Sequence, residues 1–591
     1  MFKLFKLLSK KVKGFAFITI CLSIVQPFLA MLIPSITKQI IYSVANKELF
    51  DIQILFWTLH TQSTNQSILY LILITISTAL LLMLVAYFSS FFALRVAIYG
   101  SKELREILFK HLLTFSRANY DKLTSGTILS RFSNDMRKIR DGLNTIVRSL
   151  FLSPLLFIWG LVFALNTNLY LSISIFIIIP FLSIGTFLIV KKLFPLYAKE
   201  NRMIDKLNDT IKEDIQGINL IKSYNLENVR QDIFEQKNNE AKLIALTNNK
   251  ISSFAWPIMD FISLMGNAFL FVVIAFLVQI LNDQNISKLV GDIYQFSTYL
   301  TMTANSIFFM MFTLNNLFRS STSSRRYWDL LNTKSEIPLI TEPIFIKSNS
   351  ITFKNVSFKY PLAQKNSLEN ISFHIKPNEK IGIIGKTGSG KTTLFRLIAR
   401  EYLIENNNGI IEIGNIPIEE INSDNLYKNV VPIFQKPLLF SGTIKENLTF
   451  SNSQNDYEEA LFYADADFVY EKTETFDFQL SAKASNLSGG QKQRLSIAQA
   501  IIKKPKILLI DDSTSALDNK TDLKVRENIF KNFQDSTILI IAQRINSIKN
   551  CDRIMVLDDG KISDFNTHEN LLKSNLIYQE IFNSQIGENN G

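Results

Sequence analysis

In "IGIIGKTGSGKTT" the residues Gly385, Gly390, Lys391 and Thr392 keep the spacing G-x-x-x-x-G-K-T, with Gly388 inside it. An apolar run leads in, and "TLFRLIAR" reads as a helix after it. Glycines so spaced let backbone N–H groups wrap a phosphate, and the helix N-terminus adds a favourable dipole. Lys391 reaches outer phosphates, and the Thr392 hydroxyl can ligate magnesium. Gly385, Lys386, Thr387, Gly388, Ser389, Gly390, Lys391, Thr392 and Thr393 are thus the candidate cradle for ATP and Mg2+. Downstream, the strand-type run "ILLI" (507–510) exits into Asp511 and Asp512. Asp511 stands where an acid would hold the magnesium through water.

A second stretch, "NLSGGQKQRLSIAQAII" (486–502), has Ser488, Gly489 and Gly490 opening a helix. That makes a second anion site in one chain. Read plainly, it is an ordinary capped helix start, and the two acids merely end a strand. The phosphate loop upstream favours the chemical reading. One nucleotide has no need of two helix N-termini from one domain, so the second site is expected to serve a nucleotide on another domain.

These elements are carried by the second of two unlike regions. Up to about residue 320 apolar stretches dominate, and a membrane span needs roughly 20 such residues. Six are expected: about 14–36, 68–97, 146–166, 169–190, 252–281 and 290–314. The formal net charge is +11, and the apolar runs point it toward a membrane surface and lipid, not toward nucleic acid. "MFKLFKLLSKKVK" reads as an amphipathic helix on that surface. Its basic residues lead into a run too long for a cleavable signal. The connections between spans two and three, and four and five, are rich in Lys and Arg, which places both termini in the cytoplasm. Both are long and nearly free of Pro and Gly, so they are expected to be projecting helices. Two cysteines, Cys21 and Cys551, lie in different regions and imply no disulfide framework. After "RSSTSSRR" (319–326) a linker is expected over 321–348, then a soluble α/β domain over 349–583 and a polar tail over 584–591.

Together the motifs resemble the ATP-binding cassette (ABC) family, over nearly the whole chain. The order resembles an exporter half-transporter: a six-span α-helical transmembrane domain (1–320), then an α/β P-loop nucleotide-binding domain. That resemblance implies roles for further residues. Tyr360, in "VSFKYP", matches the aromatic that stacks on adenine. Gln435 matches the glutamine linking the magnesium site to the membrane domain. Leu487, Ser488, Gly489, Gly490 and Gln491 match the signature LSGGQ unchanged, and Ser515 to Asp518 match the loop that crosses the dimer. In the family each ATP lies between one cassette's phosphate loop and the other's signature. The segments 120–141 and 217–231 resemble those carrying coupling helices that dock on the cassettes.

Two catalytic positions depart from the family. Asp512 stands where the hydrolytic Glu is usual, and Gln543 where the switch His is usual. Asp sets its carboxylate roughly 1.5 Å back, and a misplacement of about 1 Å can lower a rate on the order of 100-fold. Glutamine can hydrogen-bond a phosphate but cannot carry positive charge. Before the signature, Ala482 and Ala484 replace residues that are often Glu and Gly in exporters. The pattern resembles the weakly hydrolysing subunit of a heterodimeric exporter. It implies a second half-transporter subunit as partner, with a homodimer as the other arrangement.

Polar residues within apolar spans often mark a pathway. Gln26, Asp260, Asn267 and Asn305 are the candidates for contact with a small amphipathic substrate, and contact with a neighbouring helix is the plainer role. Drug, lipid and peptide stay open as substrate classes. A regulatory or gating membrane protein is a second class. A soluble repair or translation ATPase is disfavoured by the apolar spans.

Overall fold

The computed structural model describes all residues except 47–51, 55–56, 62, 124, 168, 281–285, 338–343, 362, 406, 451–456, 512–516 and 589–591. It divides into two units, Met1–His111 with Gly126–Thr333, and Leu112–Ser125 with Lys334–Gly591.

The first unit is helical. Among the described residues four stretches are long and apolar enough to cross a bilayer: Lys10–Ala45, Thr64–Leu112, Gly126–Thr167 and Tyr170–Gln216. The fifth and sixth expected runs fall in the helices Glu227–Ile280 and Ile286–Asn332. There the described apolar helix is shorter, Asp260–Phe276. In Ile286–Asn332 polar Asp292, Gln295 and Asn305 dilute the apolar run. By length and composition the described residues thus give four candidate spans of the six expected. Helices Leu169–Gln216 and Glu227–Ile280 have 48 and 54 residues. At ~1.5 Å per residue each is more than twice the ~30 Å of a hydrocarbon core. The long basic connections are therefore helical, as expected. Prolines such as Pro27, Pro154, Pro180 and Pro257 lie inside these helices, where neighbouring helices can satisfy the freed backbone groups.

Between the helices, Met31, Leu171, Leu270, Phe296 and Tyr299 form a buried core, and the Tyr299 hydroxyl donates to the Met31 carbonyl at 2.9 Å. Asp135 is 2% exposed. It takes Arg131 at 2.9 Å, Arg326 at 3.0 Å and the Ser323 hydroxyl at 2.8 Å. Two cations and a donor are what a buried carboxylate requires. Many apolar side chains of Thr64–Leu112, including Leu73, Met83 and Ile98, face outward.

The second unit is built on two sheets. The six-stranded one runs Lys561–Asn566, Arg553–Asp558, Lys380–Gly385, Thr537–Ile541, Ile507–Asp511, Val430–Ile433, parallel except for the first pairing. Strands covered on both faces read as continuous apolar runs, which is why "ILLI" and "TILII" show no polar alternation. Alternation is visible in where the side chains go. Ile381, Ile383, Ile507, Leu509, Leu539 and Ile541 enter one core, and Ile384, Leu508, Ile510, Ile538 and Ile540 the other. The second sheet is four-stranded and antiparallel, in the order Leu368–Ile375, Ile351–Phe358, Ile410–Ile413, Ile416–Pro417.

Candidate functional site

Parallel register decides which residues meet. Ile383 pairs with Ile541 and with Met555, Asp511 pairs with Ile541, and Ile510 pairs with Ile433. The phosphate loop, Asp511, Gln543 and Gln435 therefore all leave the sheet at its carboxyl edge, where such sheets bind ligands.

The loop is shaped by what it lacks. A Cβ on Gly385 would lie 2.1 Å from the Leu557 carbonyl oxygen of the neighbouring strand, so no side chain fits. Gly390 has φ +100°, and a Cβ there would meet Leu368 Cδ2 at 2.6 Å and the Ser367 carbonyl at 2.8 Å. Helix Lys391–Ile398 starts directly after it with no side-chain cap. Lys391 Nζ donates to the carbonyls of Gly385 and Lys386, each at 2.8 Å. Ser389 and Thr393 are buried.

Asp511 is the carboxylate of the site. Burial raises its pKa, partly offset by a hydrogen bond from Thr392 and by the charges of Arg396 and Lys391. A hydroxyl hydrogen-bonded to a carboxyl group is a pair of hard oxygen donors of the kind Mg2+ takes, and a cation there would favour the ionised form. With an uncapped helix start and a lysine beside it, the donor set fits a magnesium-bound phosphate. Tyr360 lies against the first turn of the helix. Its hydroxyl shares a hydrogen bond with Thr393 Oγ1 at 3.1 Å and accepts from Arg396 at 3.3 Å. Asp512, Ser515 and Ala516 lie outside the described residues. Asp518 caps helix Asn519–Asn532, accepting from Thr521 N at 3.2 Å.

Gln543 is exposed and follows the last sheet bond of its strand, from Ala542 N to the Ile383 carbonyl at 3.1 Å. Its own carbonyl accepts from Gln585 Nε2 at 2.7 Å. Gln435 is exposed just beyond Val430–Ile433.

The signature opens helix Gly489–Ile501. Ser488 Oγ accepts from Gln491 N at 3.3 Å, and Gln491 Oε1 accepts from Ser488 N at 3.1 Å. This is a capping box, the plain reading of the motif, and it coexists with an exposed Ser488 and Gly489. Leu487 is buried in the core behind them. Just upstream Ala484 is buried at φ +49°. That is a left-handed backbone at the position where the resemblance expects glycine.

Within the second unit, the helix Arg117–Lys122 packs on the cassette. Ser116 caps it, and Ala118 is 2% exposed within the same core as Tyr402 and Leu426. Tyr402 donates to Asp121, Arg117 pairs with Asp121 at 3.3 Å, and Asn119 donates to the Lys334 carbonyl at 3.1 Å. Next to Tyr402, Glu401 reaches Arg396 at 3.9 Å, so charged contacts run from this segment to Tyr360. Sequence reading missed Arg396, Tyr402 and Gln585, since no local spacing marks them. In the first unit, helix Ile218–Ser223 leaves Ile218, Leu220 and nearby Tyr224 exposed. The substrate candidates Asp260, Asn267 and Asn305 lie on helices Glu227–Ile280 and Ile286–Asn332. Asn267 accepts from Ser297 Oγ at 2.6 Å, while Asp260 and Asn305 are exposed on different helices.

Residues 16–314 match the family of the ABC transporter transmembrane region, and residues 368–515 the ABC transporter family. The chain is 32% identical to an uncharacterized ABC transporter ATP-binding protein, YfiB, of Bacillus subtilis, over 84% of this chain and 86% of the relative. It is 33% identical to a putative ABC transporter ATP-binding protein of Mycoplasma genitalium, over 86% and 85%. Its fold matches the structure of a bacterial Atm1-family ABC exporter with ATP bound. The TM-score is 0.80, 98% of each chain is covered, and the identity is 20%.

Proposed function

The chain belongs to the ABC transporter family, and from that premise we propose that it is one half of an exporter whose own ATP site grips nucleotide and hydrolyses it slowly. Its ATP-binding domain makes it an ATPase coupled to transport. The remaining elements of the proposal are six spans, cytoplasmic termini, an amphipathic substrate and an unlike half-transporter as partner. The long helices Glu227–Ile280 and Ile286–Asn332 support the fifth and sixth spans.

The observation that carries the proposal is Gln543. It leaves the sheet beside the strand that feeds the phosphate loop, where the resemblance expects an imidazole. An amide there can hold a terminal phosphate by hydrogen bonding, yet it never becomes a cation. Magnesium, when bound, neutralises charge on the outer phosphates. Lys391, now on the loop carbonyls, would meet phosphate oxygen, Thr392 and Asp511 would hold the metal, and Tyr360 would support the base. These groups bind and orient. With Asp512 in place of Glu, none of them positions the attacking water well. The exposed signature at Ser488 and Gly489 would complete the partner's ATP site.

The test is ATP hydrolysis by the purified full chain, alone and with its partner. Slow turnover alone is expected. Brisk hydrolysis by the chain alone, abolished by Asp512→Asn, would end the proposal.

A further inference from the structure

We propose that Gln585, in the carboxy-terminal helix, is a positioning residue for the turn that carries Gln543, which makes that helix a working part of the nucleotide site. The helix is Leu576–Glu588. Tyr578, Ile581, Phe582 and Gln585 recur at helical spacing and share one face. Tyr578 is fully buried, and its hydroxyl shares a hydrogen bond with His568 Nδ1 at 2.7 Å. Ile581 and Phe582 pack on the core that contains Ile545 and Ile548. The helix is therefore firmly docked beside the switch turn. Where one more apolar residue would finish the packing, the sequence places an amide.

A glutamine carries both a donor and an acceptor, and the turn uses both. Gln585 Nε2 donates to the Gln543 carbonyl at 2.7 Å, and Gln585 Oε1 accepts from Ile545 N at 2.9 Å. One planar group thus fixes the peptide groups on either side of Arg544. The backbone bonds around this turn are those of Ala542 N to the Ile383 carbonyl at 3.1 Å, Ser547 N to the Arg544 carbonyl at 3.1 Å and Ile548 N to the Ile545 carbonyl at 2.9 Å. Gln585 adds to them two bonds from a distant helix, one on each side of Arg544. A side chain leaving this turn toward a phosphate takes its direction from a contact supplied over forty residues later in the chain.

The consequence for catalysis rests on the reading that Gln543 contacts the terminal phosphate; the positioning itself does not. The experiment uses the full-length chain with Gln585→Ala and Gln585→Glu. Glutamate keeps the acceptor for Ile545 N but sets an oxygen against the Gln543 carbonyl. Amide hydrogen exchange over 542–546 is expected to speed up about tenfold in the alanine variant and by less in the glutamate variant. Unchanged exchange in both would overturn the proposal. In ATPase assays Gln585→Ala should lower kcat severalfold and leave KM for ATP within about twofold. In a Gln543→Ala background the same change should have no further effect on kcat. An equal loss in both backgrounds would also overturn the proposal. If exchange responds but Gln543→Ala alone leaves turnover unchanged, the positioning stands and the phosphate-contact reading falls.

Discussion

Two glycine-bearing helix starts in the cassette solve one problem in opposite ways. Helix Lys391–Ile398 begins at Gly390, in left-handed backbone and with no side-chain cap. Helix Gly489–Ile501 begins at Ser488, which Gln491 caps reciprocally. The first four N–H groups of a helix need partners. At the phosphate loop no side chain caps the helix start, and the neighbouring Asp511 is pushed toward its neutral form by burial. At the signature part of the need is met from within, so that surface is stable while it waits. The difference separates a helix start with no side-chain cap from one that caps itself while Ser488 and Gly489 stay exposed.

Gly390→Ala should break the comparison most severely. The methyl enters a left-handed backbone and overlaps Leu368 and Ser367. A loss of roughly 3 kcal/mol is expected in thermal unfolding of the full chain, along with lost binding of a fluorescent ATP analogue. Normal binding would show the loop to be far more pliant than its contacts imply.

Asp511→Asn sharpens the ligand-dependent side. A carboxyl whose folded pKa is raised contributes stability below its unfolded pKa of about 4 and loses it as pH rises through the folded value. Near neutral pH the charged, partly buried group is a burden that asparagine removes. The variant should therefore melt at a higher temperature without nucleotide, with the gain vanishing in acid. Its Mg-ATP affinity should fall by at least about tenfold. A lower melting temperature at pH 7 would refute the burial argument.

Ser488→Ala removes the self-supplied cap. The expected loss is about 1 kcal/mol, with ATP binding at this chain's own loop unaffected. A comparable drop in that binding would mean that the two helix starts are not independent. The smallest effect belongs to Ala484→Gly, which relieves the left-handed backbone at φ +49°. A gain of about 0.5 kcal/mol in thermal unfolding is expected, the relief of roughly 1 kcal/mol being partly offset by chain entropy. Destabilisation would mean that the Ala484 methyl, fully buried, contributes more by packing than it loses in backbone strain.

The sequence made local patterns legible and long-range ones not. Glycine spacing, the strand "ILLI" and the Ser488–Gln491 pair each lie within a few residues, so their geometry follows from helix and strand periods. Ala484 stood out as a replaced glycine, and its positive φ is the physical counterpart. The Arg396–Tyr360 contact, the docking of Ala118 and the reach of Gln585 to Gln543 join distant stretches, and no spacing encodes them. The span signal is weakest where Asp292, Gln295 and Asn305 interrupt an apolar run. Asp260, Asn267 and Asn305 were grouped by polarity alone, and the bond between Asn267 and Ser297 of the next helix is a contact that polarity does not reveal.

The central claim is that two side chains hold this chain's own ATP site to slow turnover. Single-turnover hydrolysis should be measured for the full chain and for the variant carrying Asp512→Glu with Gln543→His, at saturating Mg-ATP. The account predicts a rise of at least about 100-fold in the variant, with nucleotide affinity little changed. Equal rates in the two proteins would contradict it.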